Sequence, residues 1–149
     1  MANKVRELFE RYVAAIDKLD FEALAELVDP DVVVQFPQSG ERFRGFAAFR
    51  AQLEHYPGGL PLGEGAQREA RVVGDDERWA ITPGYTVLHL AGPERYTTIS
   101  RAKYPDGSHW WVVSIVQIAN DRIVNAETFF APEFEPPEWR RDLAERSPR

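Results

Sequence analysis

Residues 110–130 read WWVVSIVQIANDRIVNAETFF, and this stretch constrains the fold more than any other part of the chain. Its β-branched and aromatic residues predict two strands that meet in a turn at Asn120-Asp121. Because side chains alternate between the two faces of a strand, both faces of the first strand are apolar. One face carries Trp110, Val112, Val116 and Ile118, and the other carries Trp111, Val113 and Ile115. A sheet with two apolar faces needs a cover on each side.

Three helices predicted in the amino-terminal half can cover one of these faces. The first helix carries a single apolar stripe, formed by Val5, Leu8, Phe9, Tyr12, Val13 and Ile16 at helical spacing. Asp20 is the predicted N-cap of the second helix, and Pro30 is predicted to end it. The third helix follows Gly45 and is predicted to end in the Tyr-Pro-Gly-Gly sequence at 56–59.

Between and after the helices the sequence has the composition of strands. Residues 31–36 read DVVVQF and are predicted to form a hairpin with ERFRG, and from residue 67 onward strands alternate with turns, the clearest turn being Pro105-Asp106-Gly107. The predicted fold class is α+β, a curved antiparallel sheet with three helices from the amino-terminal half on its concave face. We expect residues 1–131 to form the domain, and residues 132–149 to form an extended, proline-containing tail that packs on this domain or on its partner.

The second apolar face of the 110–118 strand needs another cover. A twofold-related second copy is the favoured interpretation, because the same patch on two copies can cover itself. The alternative cover is the carboxy-terminal segment, through Phe134, Pro136, Pro137 and Trp139. The sequence therefore predicts a homodimer.

Composition excludes several classes of partner and site. The net charge of −6 and the lack of a large basic cluster argue against nucleic acid and against anionic membrane surfaces. The sequence contains no cysteine, which excludes disulfides and thiolate metal sites, and its three histidines do not have metal-ligand spacing. We therefore expect no metal and no cofactor. The charged amino terminus is unlike a signal peptide, and a cytoplasmic location is expected.

The order of elements, together with three segments, resembles the SnoaL-like domains of the nuclear transport factor 2-like superfamily. The segments are RYVAAIDKLDFEALAELVDPDVVVQFP, FRGFAAFRAQL and VSIVQIANDRIVNAETFF. The resemblance implies a cone-shaped, cystatin-like α+β fold around a hydrophobic pocket. It also implies chemistry of the polyketide cyclase or ketosteroid isomerase kind, although this fold hosts both enzymes and non-catalytic binding proteins.

Three residues correspond to the functional positions of ketosteroid isomerase-like proteins. Tyr12 matches the tyrosine that donates a hydrogen bond to the developing oxyanion. Phe36 stands where those proteins have a carboxylate base, and Ser114 stands where they have a second acid. Because two of the three positions are changed, steroid-type isomerisation is not expected.

Two other branches of the superfamily give different correspondences. Arg101 of this chain matches an arginine of limonene epoxide hydrolase-like proteins. Lys103 and Thr128 stand where those proteins have their two carboxylates, so activation of a water molecule is not expected. SnoaL-like cyclases use an inward aspartate near the last strands, for which Glu127 is the candidate in this chain. If Thr128 faces inward, Glu127 faces outward, unless a bulge or a one-residue slip reverses the alternation.

The predicted function is a pocket for a hydrophobic small molecule. We expect the ligand-binding residues to be Phe36, Arg101, Trp110, Val112, Ser114, Val116, Thr128 and Phe130. The candidate catalytic residues are Tyr12, His89 and Glu127, with Tyr12 or Ser114 stabilising an enolate during proton transfer next to a carbonyl. The competing hypothesis is a non-catalytic ligand-binding or dimerisation module.

Each polar candidate also has an alternative structural role. Ser114 could bond a neighbouring backbone group, and Tyr12 could be a core tyrosine. His89 could be an ordinary strand residue, and Arg101 could face outward and pair with an acid. The glycine-rich segment 58–65 could gate the pocket or simply connect two elements.

Overall fold

The computed structural model describes residues 2–57, 69–70, 78–82, 85–89 and 94–146, and within residues 2–3, 69–70, 78–82 and 85–89 it describes the backbone alone. The glycine-rich segment 58–65 lies outside the described residues. The described helices are α1 (Ala2–Lys18), α2 (Phe21–Leu27), α3 (Gly45–Glu54) and α4 (Glu138–Arg141). No helix in this part of the chain is both long enough and apolar enough to span a membrane.

A short turn joins α1 to α2. Leu19 has φ 50°, and the Asp20 N–H donates to the Ala15 carbonyl, which is the Schellman pattern at a helix end. The Asp20 carboxylate then accepts from the Ala23 N–H, which confirms the predicted N-cap. The predicted end of α2 at Pro30 is wrong. The helix ends at Leu27, because Val28 is already extended and pairs with Ile123 in the sheet.

The strands are β1 (Val28–Phe36), β2 (Glu41–Arg44), β3 (Glu69–Ala70), β4 (Arg78–Thr82), β5 (Tyr85–His89), β6 (Arg95–Lys103), β7 (His109–Ala119) and β8 (Arg122–Pro132). They form one sheet in the order β2-β1-β8-β7-β6-β5-β4, and β3 also pairs with β6. Strands β4 to β8 are a meander of antiparallel neighbours. The α+β class with helices in the amino-terminal half is confirmed.

One pairing departs from the predicted antiparallel sheet. Strand β1 lies beside β8 and runs parallel to it, with Val34 opposite Ala126. Strand β1 is the second strand from one edge of the sheet, between β8 and the edge strand β2, with which it forms a hairpin. The resulting sheet is mixed.

Two turns determine how β6, β7 and β8 follow one another. Asn120 and Asp121 have φ 53° and 61°, the left-handed conformation that both central residues of a tight type I′ hairpin turn require. Gly107 has φ 87° in the turn between β6 and β7, and its N–H donates to the Tyr104 carbonyl. Both turns lie where the sequence predicts them.

The core lies between the helices and one face of the sheet, which we call the inner face; the opposite side is the outer face. Phe9 and Leu24 have no exposed surface and anchor α1 and α2 in this core. Phe9 also makes an edge-to-face contact with Tyr96 of β6, with ring centroids 5.8 Å apart. The carboxy-terminal segment contains one turn of helix, α4, at residues 138–141 after its proline-containing stretch.

Candidate ligand-binding cavity

A cavity of about 790 Å³ lies between the helices and the inner face. This volume falls in the range of small-molecule sites. The deepest apolar walls come from α1 and β1, through Val13, Ile16, Val28, Val32 and Val34. The strands β6, β7 and β8 supply the opposite wall.

Tyr12 and seven of the predicted ligand-binding residues lie on the wall of this cavity. The seven are Phe36, Trp110, Val112, Ser114, Val116, Thr128 and Phe130. Their shared position follows from the alternation along β7 and β8, in which every second side chain faces inward. Tyr12 reaches the same wall from the apolar stripe of α1 and packs against the core.

A row of hydroxyl groups crosses the inner face in the middle of this apolar cavity. Thr98 of β6 is in register with Ser114 of β7, which is in register with Thr128 of β8. The Ser114 and Thr128 hydroxyl oxygens are 2.9 Å apart and share a hydrogen bond. One of the two hydroxyls donates its proton to the other, so the proton of the second hydroxyl can be donated to a ligand. Ser100 lies one inward position farther along β6 on the same wall.

Three phenylalanines form one side of the wall. Phe36 contacts Phe43 and Phe130, with ring centroids 5.0 Å apart in both pairs. The Gln38 side chain extends the β1 edge beyond Phe36, since it accepts from the Phe130 N–H and donates to the Phe130 carbonyl. Phe36 is therefore a packed aromatic residue of the cavity wall.

Aromatic rings and a carboxylate line the opening of the cavity. Tyr56 stacks on Tyr104 at a centroid distance of 5.6 Å, and Tyr104 meets the edge of Trp110 at 6.1 Å. The Trp110 indole N–H donates to the Ser108 hydroxyl, which in turn donates to Asp106. Asp106 is exposed, which places this set at the mouth and not at the floor.

The two titratable groups of this set are perturbed in opposite directions. Hydrogen bonds from the Ser108 hydroxyl and backbone N–H lower the pKa of the Asp106 carboxyl below its usual value. Burial raises the pKa of the Tyr56 phenol, and the nearby Asp106 charge raises it further. At neutral pH, Asp106 is therefore ionised and Tyr56 is a neutral hydrogen-bond donor.

The remaining predicted site residues lie elsewhere. Arg101 is wrong as a cavity residue: its guanidinium is buried away from the described cavity wall and pairs with Glu133. Glu127 is exposed on the outer face, in register with Ile115 and Gln35, because the alternation through Thr128 is uninterrupted. His89 pairs with Tyr96 in the backbone ladder, and its side chain lies outside the described residues.

Several wall residues were not predicted from the sequence. Thr98 and Ser100 alternate with Thr97, Ile99 and Arg101, so both faces of β6 contain polar residues and its inward face is ambiguous. Tyr56, Tyr104 and Asp106 lie at turns, where period-2 alternation gives no signal. Within the described ranges, no three histidine or acidic side chains are grouped in a way that could hold a metal ion.

Comparisons with known proteins agree on the fold. The profile of the SnoaL-like domain matches residues 9–126. The structure is similar to that of an NTF-2-like protein of unknown function from Burkholderia xenovorans LB400, with 26% identity, coverage of 98% of this chain and 97% of that chain, and a TM-score of 0.70. None of the curated proteins compared with this sequence matches it.

Two further solved structures share the fold at lower identity. One is a protein from Kribbella flavida DSM 17836 suggested to be a ketosteroid isomerase, with 21% identity, coverage of 99% and 92% of the two chains, and a TM-score of 0.67. The other is an LEH-like epoxide hydrolase from M. tuberculosis, with 13% identity, coverage of 86% and 83%, and a TM-score of 0.51. With the profile match over most of its length, the chain belongs to the SnoaL-like domain family of the NTF2-like superfamily.

Proposed function

We propose that the protein binds a hydrophobic small molecule that carries a carbonyl or hydroxyl group. The observation that carries this proposal is the row of hydroxyls Thr98, Ser114 and Thr128 inside a mostly apolar wall. Apolar surfaces bury the body of a ligand, and a few buried polar groups orient it. A neutral oxygen on the ligand would accept from the Ser114–Thr128 pair without the cost of burying a charge.

Replacing Thr128 with valine and Ser114 with alanine removes both hydroxyls of the pair with little change of shape. We expect a roughly 3–10-fold weaker affinity for a polycyclic ketone, the value of one neutral hydrogen bond. A hydrocarbon of the same skeleton should bind the variant and the native protein equally. Calorimetry with both ligands measures this difference.

The matched control is Thr97→Val, the same threonine-to-valine substitution one residue before Thr98, at a buried position that is not on the described cavity wall. It should leave both affinities unchanged. The proposal is wrong if a broad set of apolar ketones and alcohols gives neither heat nor a thermal shift at a ligand concentration of about 100 µM, since even micromolar binding would give a clear stabilisation there.

Catalysis by proton transfer is a second candidate, supported by the same hydroxyl pair, which could donate to a developing enolate oxygen. Glu127 does not serve as its base, because it is exposed on the outer face. Exchange of the α-hydrogens of a bound ketone in D₂O, followed by NMR, distinguishes an enzyme from a binding protein. Glu127→Gln should leave any exchange unchanged.

We also propose that the protein forms a homodimer through the outer face. Trp111, Val113, Ile115 and Phe129 are half-buried on this side, where they alternate with the cavity residues. Phe134 and Trp139 of the carboxy-terminal segment are 67% and 75% exposed, so most of their apolar surface is open to a partner as well. A second copy is therefore favoured over the segment as its cover.

Sedimentation at micromolar concentration should show a dimer of the 17.0 kDa chain. Val113→Arg should convert it to a monomer, because the substitution places a charge in the centre of the apolar contact. Binding of a ketone in the cavity should persist in this variant, since Val113 points away from the inner face. Native protein that sediments as a single 17.0 kDa chain contradicts the proposal.

A further inference from the structure

The cavity mouth carries charged side chains, whereas the hydroxyl row inside the cavity is neutral. Along the described cavity wall, the carboxylates are Glu41 and Asp106, and the basic side chain is His55. All three are exposed, whereas Thr98 and Thr128 of the hydroxyl row are buried, so the charged groups lie nearer the opening. A ligand seated in the apolar interior would therefore meet negative charge only with the end that projects toward the mouth.

Asp106 is held in place at this opening. Its Oδ1 accepts from the Ser108 backbone N–H at 2.9 Å and from the Ser108 hydroxyl at 2.5 Å. Ser108 is in turn held by the Trp110 indole N–H at 2.8 Å. Both of these bonds to Asp106 end on Oδ1. The carboxylate is ionised at neutral pH because the Ser108 bonds lower its pKa.

Aromatic rings surround the same opening. Tyr56, Tyr104 and Trp110 contact one another in sequence and all line the cavity. The faces of such rings attract a cation within about 6 Å and disfavour an anion. The carboxylate is linked to these rings through Ser108, whose hydroxyl accepts from the Trp110 indole N–H and donates to Asp106.

We propose that the cavity selects ligands with a hydrophobic body and a cationic amine, and that Asp106 and the Tyr56–Tyr104–Trp110 rings receive the ammonium group at the mouth. This inference rests on the proposed function, because the body of the ligand must first occupy the apolar cavity. It adds the class of ligand: an amphipathic amine is preferred to the matching alcohol, and the alcohol is preferred to the matching carboxylate.

A matched tricyclic series tests this order. Dehydroabietylamine, dehydroabietyl alcohol and dehydroabietic acid share one skeleton and are cationic, neutral and anionic at pH 7. In calorimetric titrations of the full chain, we expect the amine to bind about tenfold more tightly than the alcohol, and the acid about tenfold more weakly. The preference for the amine should shrink as the salt concentration rises.

Asp106→Asn tests the residue itself. Asparagine can still accept from Ser108, so the turn is retained while the charge is lost. The ratio of the amine affinity to the alcohol affinity should fall at least threefold, an effect on the scale of one exposed cation–π or ion-pair contact. Asp121→Asn is the matched control: it makes the same change of charge at the exposed β7–β8 turn, outside the described cavity wall, and should leave the ratio unchanged.

The outcomes separate the two proposals. If the alcohol binds but the acid binds as tightly as the amine, or Asp121→Asn lowers the ratio as much as Asp106→Asn, the cation preference is wrong and the proposed function stands. If the alcohol and the amine both fail to bind and the broad set of ketones and alcohols fails as well, the proposed function is wrong and the cation preference with it.

Discussion

Replacing Glu133 with leucine is expected to destabilise the native fold by roughly 3–5 kcal/mol, the cost of removing one partner of a buried ion pair. Glu133 and Arg101 are only 11% and 7% exposed, and both carboxylate oxygens accept from the guanidinium in a forked arrangement. Without this carboxylate, the buried guanidinium loses these two charge-assisted hydrogen bonds. Urea denaturation followed by tryptophan fluorescence measures the change.

The double variant Arg101→Met with Glu133→Leu separates the charge effect from the packing effect. Because buried ion pairs are often replaceable by apolar residues of similar volume, we expect it to recover most of the lost stability. Glu10→Ala is the surface control, since the Arg6–Glu10 pair is 49% and 42% exposed and should contribute less than about 0.5 kcal/mol. A loss for Glu133→Leu as small as that of the control would show that the pair does not hold the carboxy-terminal segment.

Phe9→Ala should be the most damaging truncation on α1, with an expected loss of about 3–5 kcal/mol. Phe9 has no exposed surface and contacts Tyr96 edge-to-face, so alanine leaves a void between α1 and the sheet. The loss is a large fraction of the 5–15 kcal/mol by which domains are typically stable. It is measured in the same denaturation experiment.

Glu7→Ala on the same helix is the control. Glu7 is exposed, so its stability change should stay within about 0.5 kcal/mol. The prediction for Phe9 fails if its truncation changes the denaturation midpoint no more than the Glu7 variant does. Such a result would mean that α1 does not pack on the sheet as described.

Local patterns predict local structure in this chain. The Asp20 cap, the apolar stripe of α1 and the Asn120-Asp121 turn each depend on interactions within a few residues, and all three occur where the sequence places them. The inward set on β7 and β8 also follows from alternation alone, because the outward neighbours of Ser114 and Thr128 do not break the period.

Arg101 shows where alternation stops being informative. Both faces of β6 carry polar residues, so the pattern fits either orientation, and the choice depends on Glu133, which is 32 residues away in the sequence. The parallel pairing of β1 with β8 is also not predictable from local alternation. A run of valines predicts a strand but not its neighbour or its direction.

The sequence by itself determined most of the elements, their order and the inward residues of the clearly alternating strands, because these depend on contacts between near neighbours and on the period of the backbone. Only the tertiary structure decided the direction of β1, the outward burial of Arg101, the hydroxyl row and the aromatic mouth with Asp106. These features join residues from separate strands and turns, and a sequence pattern does not record which of those segments meet in space.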